Sequence, residues 1–183
     1  MLKDRRRDSD TWDMTIAPNE PPKATRAAAA APTAADMPVL LPTREALLER
    51  IGAELPGSGE QPVTLLVIGL LRRDDGWPTP QTTLAQVTGL LARSIRGDDW
   101  LGGSGAAEFA IVLAGPTATA ELVGARLVAA VDALGIAGVS ASAGVAPLEP
   151  GLTANEVFRR ATLSLTAARR VGAGTVIRYR EPV

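Results

Sequence analysis

Cysteine and histidine are both absent from the 183 residues. Their absence excludes disulfides, zinc sites of the Cys/His type, thiol nucleophiles and any acid–base step that needs imidazole, a Ser-His-Asp triad included. Aromatic residues are only 3% of the chain, which argues against stacking platforms for nucleic-acid bases. The net charge is -1, which gives no reason to expect nucleic acid as a partner. Lysine is scarce: Lys3 and Lys23 are the only two among 19 basic residues, and the rest are arginine. No uninterrupted apolar run approaches 18 residues, so membrane insertion is not expected. The first residues lack the short apolar core of a signal peptide, and a cytoplasmic location is expected by default. Carboxylate, arginine, hydroxyl and backbone groups remain available for chemistry. Hydrophobic residues at 46% and charged residues at 21% are a globular composition.

Residues 1–35 differ from the rest. Residues 3–13 are dense in both signs of charge, Pro18, Pro21 and Pro22 follow, and an alanine tract occupies 27–31. A segment that buries little apolar area does not offset its ordering entropy, so a disordered tail is expected here. Arg5, Arg6 and Arg7 are flanked by Asp4, Asp8 and Asp10, which reads as a solvated charge run. From residue 36 to 183 the pattern is that of one α/β domain. Thr43 can cap a helix carrying Leu47, Leu48, Ile51 and Leu55 on one side. Residues 64–68 are a continuous apolar run, suited to a strand covered on both faces. Residues 72–80 are turn-like, and 83–95 repeat apolar residues at helical spacing. Residues 100–107 are glycine-rich and lead into a second buried strand at 109–113. A helix over 119–134 places Leu122, Leu127 and Val131 on its apolar side. Residues 139–145 alternate small and apolar residues like a strand. Thr153 can cap a helix ending at Gly172 or Gly174, and 175–179 forms a last strand. The order α, β, α, β-hairpin, α, β, α, β predicts a sandwich with one central five-stranded sheet flanked by helices.

Four strings in this order resemble the GGDEF domain family, the diguanylate cyclases and their degenerate relatives. Aligned without gaps, the family signature falls on Gly105-Ala106-Ala107-Glu108-Phe109, before the apolar run Ala110-Ile111-Val112-Leu113. Ser142-Ala143-Gly144-Val145-Ala146 is similar to the family's Ser-Ile-Gly-Val-Ala strand. The stretch from Ala161 through Arg169 to Gly174 is similar to its Ala-Asp-x-Ala-x-x-x-Ala-Lys-x-x-Gly-Arg-Asn. Leu41-Pro42-Thr43-Arg44 stands where the family has Leu-Pro-Asn-Arg. The resemblance covers residues 36–180 and implies a nucleotidyl-cyclase-type fold.

It also implies an activity, the condensation of two GTP molecules into cyclic di-GMP at a dimer interface with divalent metal. Such a metal needs oxygen ligands, chiefly carboxylates. Here Gly69 stands at the family's metal-binding Asp position. Ala107 replaces the first acidic residue of the signature, leaving Glu108, and Ala106 replaces its second glycine. The guanine-reading segment after the first strand is about five residues shorter, and Asp74 and Asp75 read there as a solvated turn. Thr162 stands for the helix Asp, while Arg169 keeps the charge of the phosphate-binding Lys. If each loss cost ~3 kcal/mol of transition-state stabilisation, the rate would fall by roughly six decades. No cyclase activity is therefore expected, and neither Mg2+ nor GTP is an expected cofactor. The run Gly102-Gly103-Ser104-Gly105 lacks the Lys-Ser/Thr of a phosphate loop and reads as a flexible approach to the hairpin.

Many family members carry an inhibitory product site, Arg-x-x-Asp, just before the signature. The resemblance puts it on Arg96 and Asp99, with Arg126 as an accessory arginine and Arg93 as a nearby cation. Arginine offers a planar fork for phosphate and guanine, and a carboxylate accepts from guanine N–H groups. The competing reading is a local ion pair or helix cap. Three functions are thus in play. The first is a catalytically inactive module for regulation or protein interaction, with a protein partner or as a homodimer. The second is a cyclic di-GMP receptor through Arg96 and Asp99. The third is a residual cyclase or GTP binder using Glu108 and Arg169.

Overall fold

The apolar run after Pro62 forms β1 (Val63–Arg72), the central strand of the sheet. The computed structural model describes residues 40–72 and 78–181. The expected tail at 1–35, and Asp74 and Asp75, lie outside the described residues. Around β1 the chain builds α1 (Arg44–Glu54), α2 (Gln81–Ser94), β2 (Trp100–Gly105), β3 (Glu108–Ala114), α3 (Thr117–Asp132), β4 (Val139–Pro147), α4 (Ala154–Val171) and β5 (Val176–Arg178). The sheet order is β2-β3-β1-β4-β5, with β5 parallel to β4 and the other pairs antiparallel.

Successive residues of a strand face opposite sides, so β1 divides the interior in two. Leu66, Ile68 and Leu70 meet Val87 and Leu91 of α2 and Leu127, Val128 and Val131 of α3. Leu65 and Val67 meet Leu47 and Ile51 of α1 and Val157, Phe158, Ala161 and Leu165 of α4. Both faces are covered, as the uninterrupted apolar run of β1 requires. Thr43 and Thr153 cap α1 and α4, each hydroxyl accepting the amide of the third residue on, Ala46 and Glu156. Gly172, at φ 136°, closes α4.

The expected element order holds, with three differences in detail. Leu122 is 73% exposed, so it is not on the apolar side of α3; Ala120, Gly124, Leu127, Val128 and Val131 make that side. The glycine run 102–105 is not a flexible approach but part of β2, paired with β3. Gly102 accommodates the Trp100 indole, which a Cβ there would overlap, and Gly103 donates to the Pro42 carbonyl at 2.8 Å. The strands at 64–68 and 109–113 also run further, because their ends pair with neighbouring strands.

Helix α4 approaches β4 at backbone distance. A Cβ on Gly144 would overlap the Ala161 carbonyl and the Leu165 amide nitrogen. Neither is the end of a flexible side chain, so the helix itself would have to move. Arg160, nearly buried on α4, ties the helix to the chain end. Its guanidinium reaches Glu156 at 2.9 Å, Glu149 at 3.1 Å and Glu181 at 2.6 Å, and lies 4.9 Å from the Tyr179 ring centroid. Hydrogen bonds from Arg159 and then Arg160 hold the Glu156 carboxyl down at about 2.

Two expectations follow. Gly144→Ala should lower the melting temperature by roughly 3–9 °C, the effect of ~1–3 kcal/mol of overpacking, in a calorimetric scan. The depressed Glu156 contributes stability above its unfolded value near 4.5 that is lost as pH falls toward 2. Acid unfolding followed by circular dichroism should therefore show a shallower loss between pH 4.5 and 2 in Glu156→Gln than in the parent chain.

Candidate functional site

One cross-strand row organises the candidate site. Glu108 on β3 pairs with Gly69 on β1, and Gly69 pairs with Ser142 on β4. The three share the face that α4 covers, because Gly69 follows Leu65 and Val67 at period two. The last turn of α4 lies over this row. Arg169 donates from Nη1 to Glu108 Oε1 at 2.8 Å, with side-chain exposures of 30% and 22%. The Ser142 hydroxyl donates to the Gly172 carbonyl at 2.9 Å.

The Arg169 guanidinium fills the space beside Gly69. A Cβ built on Gly69 would overlap its Nη2 and lie within 2.7 Å of Cζ. Any side chain at position 69 would thus have to displace the guanidinium, and the position where the resemblance expects a metal-binding carboxylate already holds a cation. Arg169 Nε is shielded from solvent and has no hydrogen-bond partner among the described residues. Beside Gly69, Ala106 and Ala107 form the hairpin turn between Gly105 and Glu108, and Leu70 donates to the Ala107 carbonyl at 3.0 Å. Gly105 is not among the glycines with positive φ, so the turn does not draw on left-handed glycine geometry. Thr162 spends its hydroxyl on the Phe158 carbonyl of its own helix, at 2.9 Å.

These residues do not fit a divalent ion. Among the described residues no group of three or more Asp or Glu side chains converges anywhere. Glu108 is already paired with a guanidinium. A +2 ion held ~4.5 Å from that guanidinium would be repelled by roughly 2–7 kcal/mol for an effective dielectric between about 80 and 20.

The second candidate cluster sits at the end of α2. The Asp99 amide donates to the Arg96 carbonyl at 3.2 Å, and the Arg96 amide donates to Asp99 Oδ2 at 2.9 Å. Asp99 therefore closes a local turn through backbone, and no ion pair between the two side chains forms. The Arg96 guanidinium is exposed and takes part in no ion pair among the described residues. Arg126, reaching across from α3, donates to the Ser94 carbonyl at 2.8 Å and caps the last turn of α2. The three residues thus gather at one corner. Arg96 and Asp99 line a cleft there with the β3–α3 connection, Leu113 to Pro116, of about 30 Å3. That volume is water-sized. Arg93 lies instead along Gly89, on the exposed side of α2.

Sequence reasoning found Gly69, Glu108 and Arg169 separately and missed that one fills the gap left by another. The available signal was a glycine at position 69 together with the longer Arg at 169. It also missed Arg160, whose partners are spread over three segments.

No protein-family model matches the chain, and no curated protein matches it. Solved structures do. The active GGEEF domain of a diguanylate cyclase from Vibrio cholerae is 22% identical and superposes with a TM-score of 0.67, over 78% of this chain and 99% of that one. The GGDEF domain of DgcB from Caulobacter crescentus, in complex with c-di-GMP, is 18% identical with a TM-score of 0.65, over 75% and 91%. The diguanylate cyclase SiaD from Pseudomonas aeruginosa, in complex with its activator SiaC, is 24% identical with a TM-score of 0.66, over 75% of this chain and 58% of that one. The fold is that of GGDEF domains.

The geometry predicts how position 69 responds to change. Gly69→Asp should form an ion pair with Arg169 and create no metal site, so millimolar Mn2+ should not raise its melting temperature. Arg169→Ala in the same chain frees both carboxylates, and a Mn2+-dependent rise should then emerge in a thermal-shift titration.

Proposed function

We propose that this chain is a catalytically inactive GGDEF-like domain that works as a regulatory or protein-interaction module. The observation that carries the reading is the Arg169 guanidinium lying against Gly69 and paired with Glu108. Catalysis by this fold's cyclases, as the resemblance implies, needs a divalent ion to neutralise the triphosphate and activate the 3′-hydroxyl. Here a side-chain cation takes that region and satisfies the remaining carboxylate. A guanidinium donates hydrogen bonds but offers no Lewis acidity, so it cannot activate a 3′-hydroxyl as a metal does. The same pair argues against metal-dependent GTP binding through Glu108 and Arg169, because the carboxylate that would hold the metal is already bonded to the guanidinium. SiaD, which shares the fold, is solved with a protein activator, which is in keeping with partner-driven signalling here.

A second reading is supported by the exposed Arg96 guanidinium beside Asp99, and by DgcB being solved in complex with c-di-GMP. In this reading Arg96 supplies the charge-assisted donors and Arg126 stands next to them at Ser94. Ligand entry requires Asp99 Oδ2 to exchange its bond from the Arg96 amide for guanine N–H groups.

Two measurements test the readings. Purified protein with GTP and Mg2+ or Mn2+ should yield no cyclic di-GMP above a blank, and turnover abolished by Glu108→Ala would overturn the inactive reading. In calorimetry with cyclic di-GMP, a receptor should lose at least roughly tenfold in affinity in Arg96→Ala, since a charge-assisted bond contributes ~1.5–3 kcal/mol. Asp99→Asn should weaken binding similarly, by turning an acceptor into a donor. Arg169→Ala should leave it unchanged. No response of the parent chain at millimolar ligand would remove the receptor reading.

A further inference from the structure

Among the described residues β5 is the last strand of the sheet, and only β4 pairs with it. The Thr175 carbonyl accepts from the Ala143 amide at 2.9 Å, and the Tyr179 amide donates to the Val145 carbonyl at 2.7 Å. In a parallel ladder this alternation turns residues 175, 177 and 179 toward β4. The backbone groups of Val176 and Arg178 therefore point away from the sheet, as an open strand edge. A groove of about 630 Å3 runs along this edge, walled by Leu163 and Ala167 of α4 and by Glu121 of α3. Leu163 is 46% exposed.

The two sides of the groove differ in chemistry. Val176 packs beside Gly124 of α3, so Arg178, two residues on, shares the α3 side. Ile177 and Tyr179 fall on the α4 side, with Leu163 and Ala167. The groove is apolar toward α4, while Arg178 and Arg180 at its rim are exposed and outnumber Glu121. A second copy pairing antiparallel through its own β5 would set Arg178 against its equivalent in the register centred there, which is unfavourable across a strand pair. The occupant this edge suits is an extended segment, apolar on the face toward α4 and with a carboxylate on the face toward Arg178.

The chain carries such a segment ahead of Leu40. Trp12, Met14 and Ile16 alternate with Thr11, Asp13 and Thr15, so one face is apolar and the other carries a carboxylate, Asp13, between two threonines. Period two with three large apolar residues is the pattern of a half-buried strand. The linkage is long enough. The Pro42 carbonyl accepts from Gly103, so the chain enters the domain beside β2. From β2 to β5 is four strand spacings, roughly 19 Å at ~4.8 Å each. Residues 17–39 would span roughly 26 Å r.m.s. as a flexible chain and up to ~75 Å extended. A tether of that reach holds the segment at millimolar effective concentration.

We propose that residues 11–16 add to the free edge of β5 as a sixth strand. Trp12, Met14 and Ile16 then cover Leu163 and Ile177, and Asp13 faces Arg178. The test is amide exchange by NMR on the full chain at low concentration, read at Val176 and Arg178. Both amides should be protected by roughly tenfold or more relative to Trp12→Ser/Met14→Ser/Ile16→Ser, while the Leu66 amide in the core stays unchanged. Arg178→Glu should lower protection at Val176, and Asp13→Arg in the same chain should restore it. Equal, fast exchange at Val176 and Arg178 in the parent chain and the triple variant would overturn the proposal. So would protection that survives the triple variant and grows with protein concentration, which would make the occupant a second copy.

Discussion

The backbone contact between α4 and β4 at Gly144 sets the position of much else. With no Cβ at 144, the Ala161 carbonyl and Leu165 amide come down onto the strand. Gly144 pairs with Val67, and two residues along the ladder Ser142 pairs with Gly69. One helical turn past Leu165, the end of α4 therefore arrives over the row Glu108, Gly69, Ser142. Both ends of that row hold the helix: Glu108 takes Arg169, and Ser142 takes the Gly172 carbonyl. The middle of the row is empty of side chain, and the guanidinium lies there. A residue larger than glycine at 144 would lift α4, and with it the cation that now occupies the row.

Most of this architecture was legible in the chain, because its strongest signals are local. The apolar run of β1 suits a strand covered on both faces. The threonine caps and Gly172 marked helix ends that the structure places within a residue or two. Reading failed where partners are distant or where sterics decide. Leu122 has an apolar side chain at helical spacing, yet at that end the apolar face of α3 is made by small residues, Ala120 and Gly124, with Gly124 letting the helix approach β1 and β5. The glycine run at 102–105 suggested flexibility, but its first glycine answers the Trp100 indole and its second the Pro42 carbonyl. Arg169 was aligned for its charge alone. Its contact with Gly69 joins positions a hundred residues apart, and no local pattern reports that. The Arg160 cluster was invisible for the same reason.

The two candidate clusters belong to opposite faces of the sheet. Arg169, Glu108 and Gly69 lie on the face covered by α1 and α4. The turn from Arg96 to Asp99 ends α2, which packs with α3 on the other face, and it borders the β3–α3 connection. Among the described residues its hydrogen bonds run between its own backbone, Asp99 and Arg126, with no group from α4. No hydrogen bond among the described residues links the pairing of Arg169 with Glu108 to the Arg96 corner. A domain built this way can lose the metal region and keep a ligand corner, or use neither and offer only surface. The free edge of β5 lies at the end of the sheet opposite β2, so a strand added there would disturb neither cluster directly. The path from β5 to the rest is α4 itself: the edge groove is walled by Leu163 and Ala167, and Ala168 and Arg169 follow in the next two positions of the same helix. Occupancy of the edge would therefore bear first on the last turn of α4, where Gly172 and Arg169 hold the cross-strand row, before it could reach the α2 corner across the sheet.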